Sequence, residues 1–316
     1  MIRIHKIIKT DLRTFLANKK IEHTLRRLIF YTAVTCKYIS SKIHEANRKF
    51  ASTTNISGDI QLELDKEADK IFIERMKHCP YVKELASEEQ DNMINVKLDG
   101  QEEAVYSVTV DPLDGSSLVD VNLAVGTIVG IHKEDFKGRK SIVAAMYMLY
   151  GPLTTLVFTA GEGCHEFVLN PEGEFILSRE DIMMKDKGKI YSPGALKEKW
   201  LPKHAKYIEA LEKENYKLRY SGGLVPDFNH VLLKNGGLFT YPASYGAEKG
   251  KLRLLFELQP LAFIIEQAGG YAIDGKEDIL NIEQKEIHQR SPVYFGSKYE
   301  IELAKQYFIH TIEVLK

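Results

Sequence analysis

The sequence is poor in several things, and each shortage removes a class of function. It has three cysteines in 316 residues, Cys36, Cys79 and Cys164. They are far apart and show no CxxC spacing, so a disulfide scaffold or a zinc cluster is excluded and reduced thiols are expected. It has almost no net charge: 43 Lys plus Arg against 44 Asp plus Glu give −1. A broadly basic surface for nucleic acid is not supported, although a local basic pocket remains compatible with that balance. It has no long apolar run. The longest nearly unbroken one, around Val143 to Tyr150, is far short of the about 20 residues that span a bilayer. The N-terminal stretch mixes apolar and charged residues and lacks an apolar signal core with a small-residue cleavage site. A soluble, cytoplasmic protein without a membrane or nucleic-acid partner is expected. No repeat, low-complexity tract or Pro/Ser-rich linker stands out.

What is present is periodicity of two kinds. Residues 10 to 50 read as helix, with Leu25, Leu28, Ile29, Thr32, Ala33, Cys36 and Ile39 at helical spacing. Leu64 to Met76 reads as a second amphipathic helix. Val105 to Val110, Ala124 to His132 and Val143 to Leu149 read as strands. Thr154 to Ala160 and Cys164 to Leu169 suggest a hairpin around Gly161-Glu162-Gly163, and Phe175-Ile176-Leu177 a short strand. Beyond Gly188 come a helix over Lys203 to Asn215, a short helix over Asp227 to Leu233 and a strand over Leu238 to Tyr241. An apolar helix over Leu254 to Gln267 stops at Gly269-Gly270. A strand over Val293 to Phe295 and a helix over Lys298 to Phe308 follow. Strands and helices mix without a strict βαβ beat, so the fold class is a layered α/β or α+β sandwich. Two halves are expected, 1–187 and 188–316.

The segment Asp111-Pro112-Leu113-Asp114-Gly115-Ser116-Ser117 is the densest in chemistry. Pro112 fixes a turn after a strand. Such a turn can aim both carboxylates and the Leu113 carbonyl at one point, an oxygen set suited to a hard cation such as magnesium. Gly115, Ser116 and Ser117 offer backbone N–H groups and hydroxyls where a helix could begin, an anion cradle. Metal beside anion cradle is the minimum equipment for cleaving a phosphate ester. Asp-Pro-x-Asp-Gly is also an ordinary turn. Further acids surround it in sequence. Glu88 and Glu89 form an adjacent pair that also suits a solvated surface. Asp59 and Asp65 bracket a helix start, where capping and dipole compensation account for acids equally well. Glu257 sits in the apolar stretch Leu254-Leu255-Phe256-Glu257-Leu258 and needs a partner, a cation or a metal.

Asp111 to Gly130, DPLDGSSLVDVNLAVGTIVG, resembles the signature of class 1 fructose-1,6-bisphosphatases and the related sedoheptulose-1,7-bisphosphatases. GDIQLELD, ASEEQ, LYGPLTTLVF, GKIYSPG, LRYSGGLVPD, GKLRLLFELQPLAFIIEQAGGYAIDGK and IHQRSPVYFGS extend the likeness in family order over roughly residues 20 to 310. The DPLDG core is shared more loosely with inositol monophosphatases and other lithium-sensitive phosphatases. The resemblance implies the sugar phosphatase fold of that superfamily. It also implies hydrolysis of the 1-phosphate of fructose 1,6-bisphosphate, with sedoheptulose 1,7-bisphosphate as the alternative or second substrate. It implies two or three magnesium ions per site, with manganese as a substitute. They would be held by Glu88, Glu89, Asp111, the Leu113 carbonyl, Asp114 and Glu257. Asp65 with Glu89 would orient and deprotonate the attacking water, and Asp59, on a mobile loop, would help engage the metals. Asp114, Gly115, Ser116 and Ser117 would bind the reacting phosphate. Tyr220, Tyr241 and Lys251 would grip the sugar and its distal phosphate. Arg219 would reach into a neighbouring subunit's site, in a homotetramer. No Ser, Cys or His nucleophile with a matched base is visible, which agrees with direct attack by water.

The chain departs from the family's pattern in two places. An Asn that binds the distal phosphate in fructose bisphosphatases is replaced by Gly194 in Ile190-Tyr191-Ser192-Pro193-Gly194-Ala195, a version similar to sedoheptulose bisphosphatases. Ile287-His288-Gln289-Arg290-Ser291-Pro292 and Tyr241-Pro242-Ala243 look more like the fructose enzymes. The Gly-Glu-rich AMP-binding segment of AMP-inhibited members is not recognisable around Glu22-His23-Thr24-Leu25, and Val105 stands where a Lys contacts AMP. Weak AMP inhibition or none is expected. Two rivals remain: an inositol- or nucleotide-phosphate phosphatase, disfavoured by the matches after residue 215, and a catalytically inactive sugar-phosphate sensor, disfavoured by the complete acid set.

Overall fold

The computed structural model describes residues 10–50, 57–97, 100, 102, 104–133 and 135–309, without the side chains of 46–50 and 57–62. Three helices come first: α1 (Leu12–Asn18), α2 (His23–Phe50) and α3 (Ser57–Lys77). Asp11 caps α1, accepting from the Thr14 N–H at 2.9 Å. In α2 the apolar residues at helical spacing, from Leu25 to Ile39, are all buried. In α3, Leu64, Ala68, Phe72 and Met76 recur every fourth residue and are buried as one stripe.

Eight strands follow: β1 (Val82–Ser87), β2 (Ile94–Asn95), β3 (Tyr106–Asp114), β4 (Val125–Lys133), β5 (Ile142–Tyr150), β6 (Thr154–Thr159), β7 (His165–Leu169) and β8 (Phe175–Arg179). They form one sheet in the order β2-β1-β3-β4-β5-β6-β7-β8, antiparallel except for the β1–β3 pair. Side chains alternate across this sheet. Tyr106, Val108, Val110, Val129, Met146 and Phe158 enter the core shared with α1 to α3. Ile128, Tyr147 and Val157 enter a second core on the other face. Both faces are covered, which is why these strands read as nearly continuous apolar runs.

The remaining elements are β9 (Ile190–Pro193), α4 (Pro202–Lys213), β10 (Lys217–Leu218), α5 (Leu224–Leu233), β11 (Leu238–Tyr241), α6 (Gln259–Gln267), β12 (Tyr271–Ile273), β13 (Val293–Gly296) and α7 (Lys298–Phe308). The strands form a second sheet in the order β10-β9-β11-β13-β12. Residues of α5 and α6 fill the second core between the two sheets, with Phe239 and Phe295 from the second sheet. Beyond that sheet, α4 and α7 bury Tyr207, Leu211, Ile301 and Ala304. The result is five alternating layers, helix, sheet, helix, sheet, helix, which is the mixed α/β sandwich expected.

Three local expectations change. Strand β3 does not end before Pro112 but runs through it to Asp114, with one extra residue between Asp111 and Asp114 opposite β4. Proline lacks the N–H a regular ladder needs, and a bulge is where a strand tolerates it. The helix expected from Leu254 begins instead as a π-helical turn, Leu254–Leu258, before α6, with Pro260 in the first turn of α6. The helix expected after Gly115 is only a three-residue 3-10 turn, Ser116–Leu118. Strands β1, β9 and β12 have no alternation long enough to read.

Candidate active site

The β3 bulge sets the geometry. Asp111, still on the strand, is buried and its carboxylate accepts the Leu113 N–H at 3.1 Å. Three residues on, Asp114 accepts the Val225 N–H at the start of α5 at 2.6 Å. Packed against β3 and β4, the π-helical turn presents Glu257, whose carboxylate accepts the Arg253 N–H at 2.5 Å. Oxygens of Asp111, Asp114 and Glu257 lie within 4.8 Å of one another.

Three carboxylates this close repel, and burial adds to the cost of their charge. Burial, then the charges of Asp114 and Glu257, hold the Asp111 carboxyl well above the ordinary range. Burial pushes Asp114 up to about 6 and Glu257 up to about 7, against the opposing N–H bonds from Val225 and Arg253. A hard divalent cation relieves both penalties at once, and the all-oxygen donor set fits one.

The Glu88-Glu89 pair sits at the end of β1, which lies parallel to β3; the Glu88 N–H donates to the Val110 carbonyl at 2.9 Å. Glu88 forms an ion pair with Arg253, while Glu89 is exposed. This turn is braced by Asp69 of α3, which accepts from the Ser87 hydroxyl at 2.5 Å and the Gln90 amide at 2.6 Å. One helical turn earlier, Asp65 accepts from the Ser116 hydroxyl at 2.9 Å. Burial first, and then the Glu89 charge, raises the Asp65 carboxyl to about 6.

Gly115 adopts a left-handed φ of 78°, a conformation that glycine takes without strain. That turn presents Ser116 and Ser117 to a cavity of about 240 Å3. An anion at this turn would therefore meet local N–H and hydroxyl groups rather than the dipole of a long helix. Glu88, Asp114 and Glu257 line one side of the cavity; Tyr220, Tyr241 and Lys251 line the other. The Lys251 ammonium lies 5.5 Å from the centre of the Tyr241 ring. A larger cleft, about 660 Å3, lies between α1, α2 and the start of β1 and contains none of these residues.

Nine of the expected residues thus line this cavity, with Asp111 beside Asp114 and Glu257, and Asp65 bonded to Ser116. Arg219 does not: it is exposed and donates to the Leu218 carbonyl at 2.7 Å. Asp59 falls in the first turn of α3, and its side chain lies outside the described residues. Three residues escaped the sequence reading. Asp69 was signalled by its i, i+4 spacing from Asp65 on one helix face. Arg253 was signalled by the demand of nearby acids for a cation, although its guanidinium meets Glu88 and only its N–H meets Glu257. Asp227 of α5 accepts the Ser221 N–H at 2.9 and 3.0 Å, fixing the loop after Tyr220; nothing in the sequence distinguished it from a helix-start acid.

A layered α/β fold that sets buried carboxylates beside a glycine–serine turn defines a protein that handles phosphate esters with a metal ion. Residues 6–180 match the family model for the fructose-1,6-bisphosphatase N-terminal domain, and residues 184–309 match that for its C-terminal domain. The class 1 fructose-1,6-bisphosphatase of Geobacter sulfurreducens is 47% identical over 302 residues, covering 95% of this chain and 96% of that one. That of Geotalea uraniireducens is 49% identical over 300 residues, covering 94% and 95%. The crystal structure of Leishmania major fructose-1,6-bisphosphatase in holo form superposes with a TM-score of 0.86 at 34% identity, covering 95% of this chain and 99% of that one. The chain belongs to the fructose-1,6-bisphosphatase family. Membership implies a need for a divalent metal, and the buried acid cluster suits it. Among the described residues, no helix is long and apolar enough to cross a membrane.

Proposed function

We propose that this protein hydrolyses the 1-phosphate of fructose 1,6-bisphosphate to give fructose 6-phosphate and inorganic phosphate, with magnesium as the working cation. The observation that carries the reading is the buried Asp111, Asp114 and Glu257 cluster beside the Gly115–Ser117 turn, in a chain that matches the family along nearly its whole length. Two or three magnesium ions per site, replaceable by manganese, would be held by these acids with Glu88, Glu89 and the Leu113 carbonyl. When bound, the metal supplies charge neutralisation at the phosphate and at the departing alkoxide oxygen.

The chain's own residues do the rest. Gly115, Ser116 and Ser117, with Asp114 at their base, orient the reacting phosphate through N–H and hydroxyl groups. Asp65, held by Ser116 and raised to about 6, is ionised at neutral pH yet basic enough to accept a proton from the attacking water. Glu89 assists it, and Asp59, in the first turn of α3, helps engage the metals. Tyr220, Tyr241 and Lys251 grip the sugar and its distal phosphate. Arg219, which does not line its own cavity, serves a neighbouring subunit's site in a homotetramer. The chain works in the cytoplasm, its first half (1–187) supplying most metal ligands and its second (188–316) the sugar contacts.

The test is phosphate release from fructose 1,6-bisphosphate, sedoheptulose 1,7-bisphosphate and inositol 1-phosphate, each with and without magnesium. Magnesium-dependent turnover greatest on the fructose substrate supports the proposal. Turnover greatest on inositol 1-phosphate, or independent of metal, contradicts it.

A further inference from the structure

Gly194 follows β9 immediately, and the parallel register that pairs Pro193 with Thr240 carries it alongside Tyr241. A β-carbon at 194 would lie 2.3 Å from the Tyr241 Cδ2 and 2.6 Å from its Cε2, well inside contact distance. The backbone at 194 cannot retreat freely. Its N–H donates to the Thr240 carbonyl at 2.7 Å, and its carbonyl accepts from the Trp200 indole N–H at 3.0 Å. The loop that carries Trp200 is tied in turn to the segment after β11: the Tyr245 N–H donates to the Lys199 carbonyl at 2.9 Å. With the backbone held from both sides, the ring of Tyr241 is the part that must move when a side chain appears at 194. That ring forms the cavity wall against which Lys251 sits.

We infer that Gly194 and Trp200 are positioning residues for substrate recognition: the missing side chain at 194, clamped by the Trp200 indole, sets where Tyr241 and Lys251 meet the distal phosphate. The inference rests on the proposed role of Tyr241 and Lys251. Its consequence is a split in kinetics. Displacing Tyr241 weakens the hold on the distal phosphate and leaves the acid cluster, on the opposite wall, in place. Catalysis of the bound substrate therefore persists while affinity falls. The clamp also supplies its own reporter, because Trp200 is the only tryptophan in the chain.

The experiment compares Gly194→Ala, Trp200→Phe and Lys251→Met with the unaltered protein on two substrates, fructose 1,6-bisphosphate and fructose 1-phosphate, which lacks the distal phosphate. Gly194→Ala should raise KM for the bisphosphate about tenfold, with kcat within about twofold and a much smaller rise in KM for fructose 1-phosphate. Its Trp200 emission should stay as in the unaltered protein, since the ring moves and the loop does not. Trp200→Phe should raise the same KM by a smaller factor. If Lys251→Met raises KM and Gly194→Ala does not, the inference fails alone. Equal impairment on fructose 1-phosphate, or a shifted Trp200 emission in Gly194→Ala, also overturns it, by showing a collapsed loop. If Lys251→Met leaves KM unchanged, the distal-phosphate reading and the inference fall together.

Discussion

The two walls of the cavity are built on opposite principles. On the acid wall, Asp111 and Glu257 are buried among apolar layers, each held by a backbone N–H; burial pushes all three clustered carboxyls up, and charges within the cluster add to this at Asp111 and Glu257. On the opposite, proposed sugar wall, Tyr220 and Lys251 are exposed and Tyr241 is half-buried, with a Lys251–Tyr241 ammonium–ring contact and Gly194 fitted against the Tyr241 ring. The acid wall stores unfavourable electrostatics that a cation can release. The sugar wall stores little and works by shape. The first should therefore govern kcat and metal dependence, the second KM.

The largest effect that can break this comparison is on the acid wall. Glu257→Gln should lower kcat by about a thousandfold or more, because one anionic metal ligand is lost. It should also raise the melting temperature of the metal-free protein, since a buried repulsive charge is gone. A large loss of kcat accompanied by a lower metal-free melting temperature would sink the repulsion argument. Asp65→Asn should lower kcat on the order of 100- to 10,000-fold with substrate binding retained, and should remove the acidic limb near pH 6 from the kcat profile. An unchanged kcat would remove Asp65 from its role.

A pH experiment sharpens the same contrast. Carboxyls raised in the folded state bind more protons there than in the unfolded chain, so stability falls as pH rises between the two values. For Asp114 and Glu257 that window runs from about 4 to about 7. Metal-free protein should lose melting temperature across it, and added magnesium should raise melting temperature more at pH 7.5 than at pH 5.5. Equal magnesium effects at both pH values would count against the cluster as the metal site. On the sugar wall, Tyr220→Phe should change KM only a few-fold, about the worth of one hydrogen bond, with kcat unaltered. The smallest expected response is to AMP. The AMP-binding segment of inhibited family members is not recognisable around Glu22-His23-Thr24-Leu25, and Val105 stands where a Lys contacts AMP. An AMP titration should leave the rate nearly unchanged at physiological concentrations.

The same contrast explains what was legible in the sequence. Helices α2 and α3 and strands β4 and β5 carry long, uninterrupted periodicity, so their positions follow from burial alone. Asp111, Asp114 and Glu257 were visible as acids in apolar or turn-forming company, a conflict that demands a partner. Strand β1 was not visible, because Val82-Lys83-Glu84-Leu85-Ala86-Ser87 has burial set by its neighbours rather than by alternation. The bulge at Pro112 and the π-helical turn before Pro260 were also hidden, since each trades regular hydrogen bonding for the aim of one side chain. Tyr220, Tyr241 and Lys251 carry no physical anomaly, and only the family resemblance singled them out. Gly194 became informative only when the Tyr241 ring was seen against it.

The central claim is that the buried acid cluster is a divalent metal site that drives hydrolysis of a sugar bisphosphate. Phosphate release from fructose 1,6-bisphosphate by chelator-treated protein, titrated with magnesium, tests it most directly. The account predicts no turnover without metal, saturable recovery with it, and recovery to no more than about a thousandth of that rate over the same magnesium range for Glu257→Gln. Turnover in the metal-free protein, or full magnesium-dependent recovery in Glu257→Gln, would contradict it.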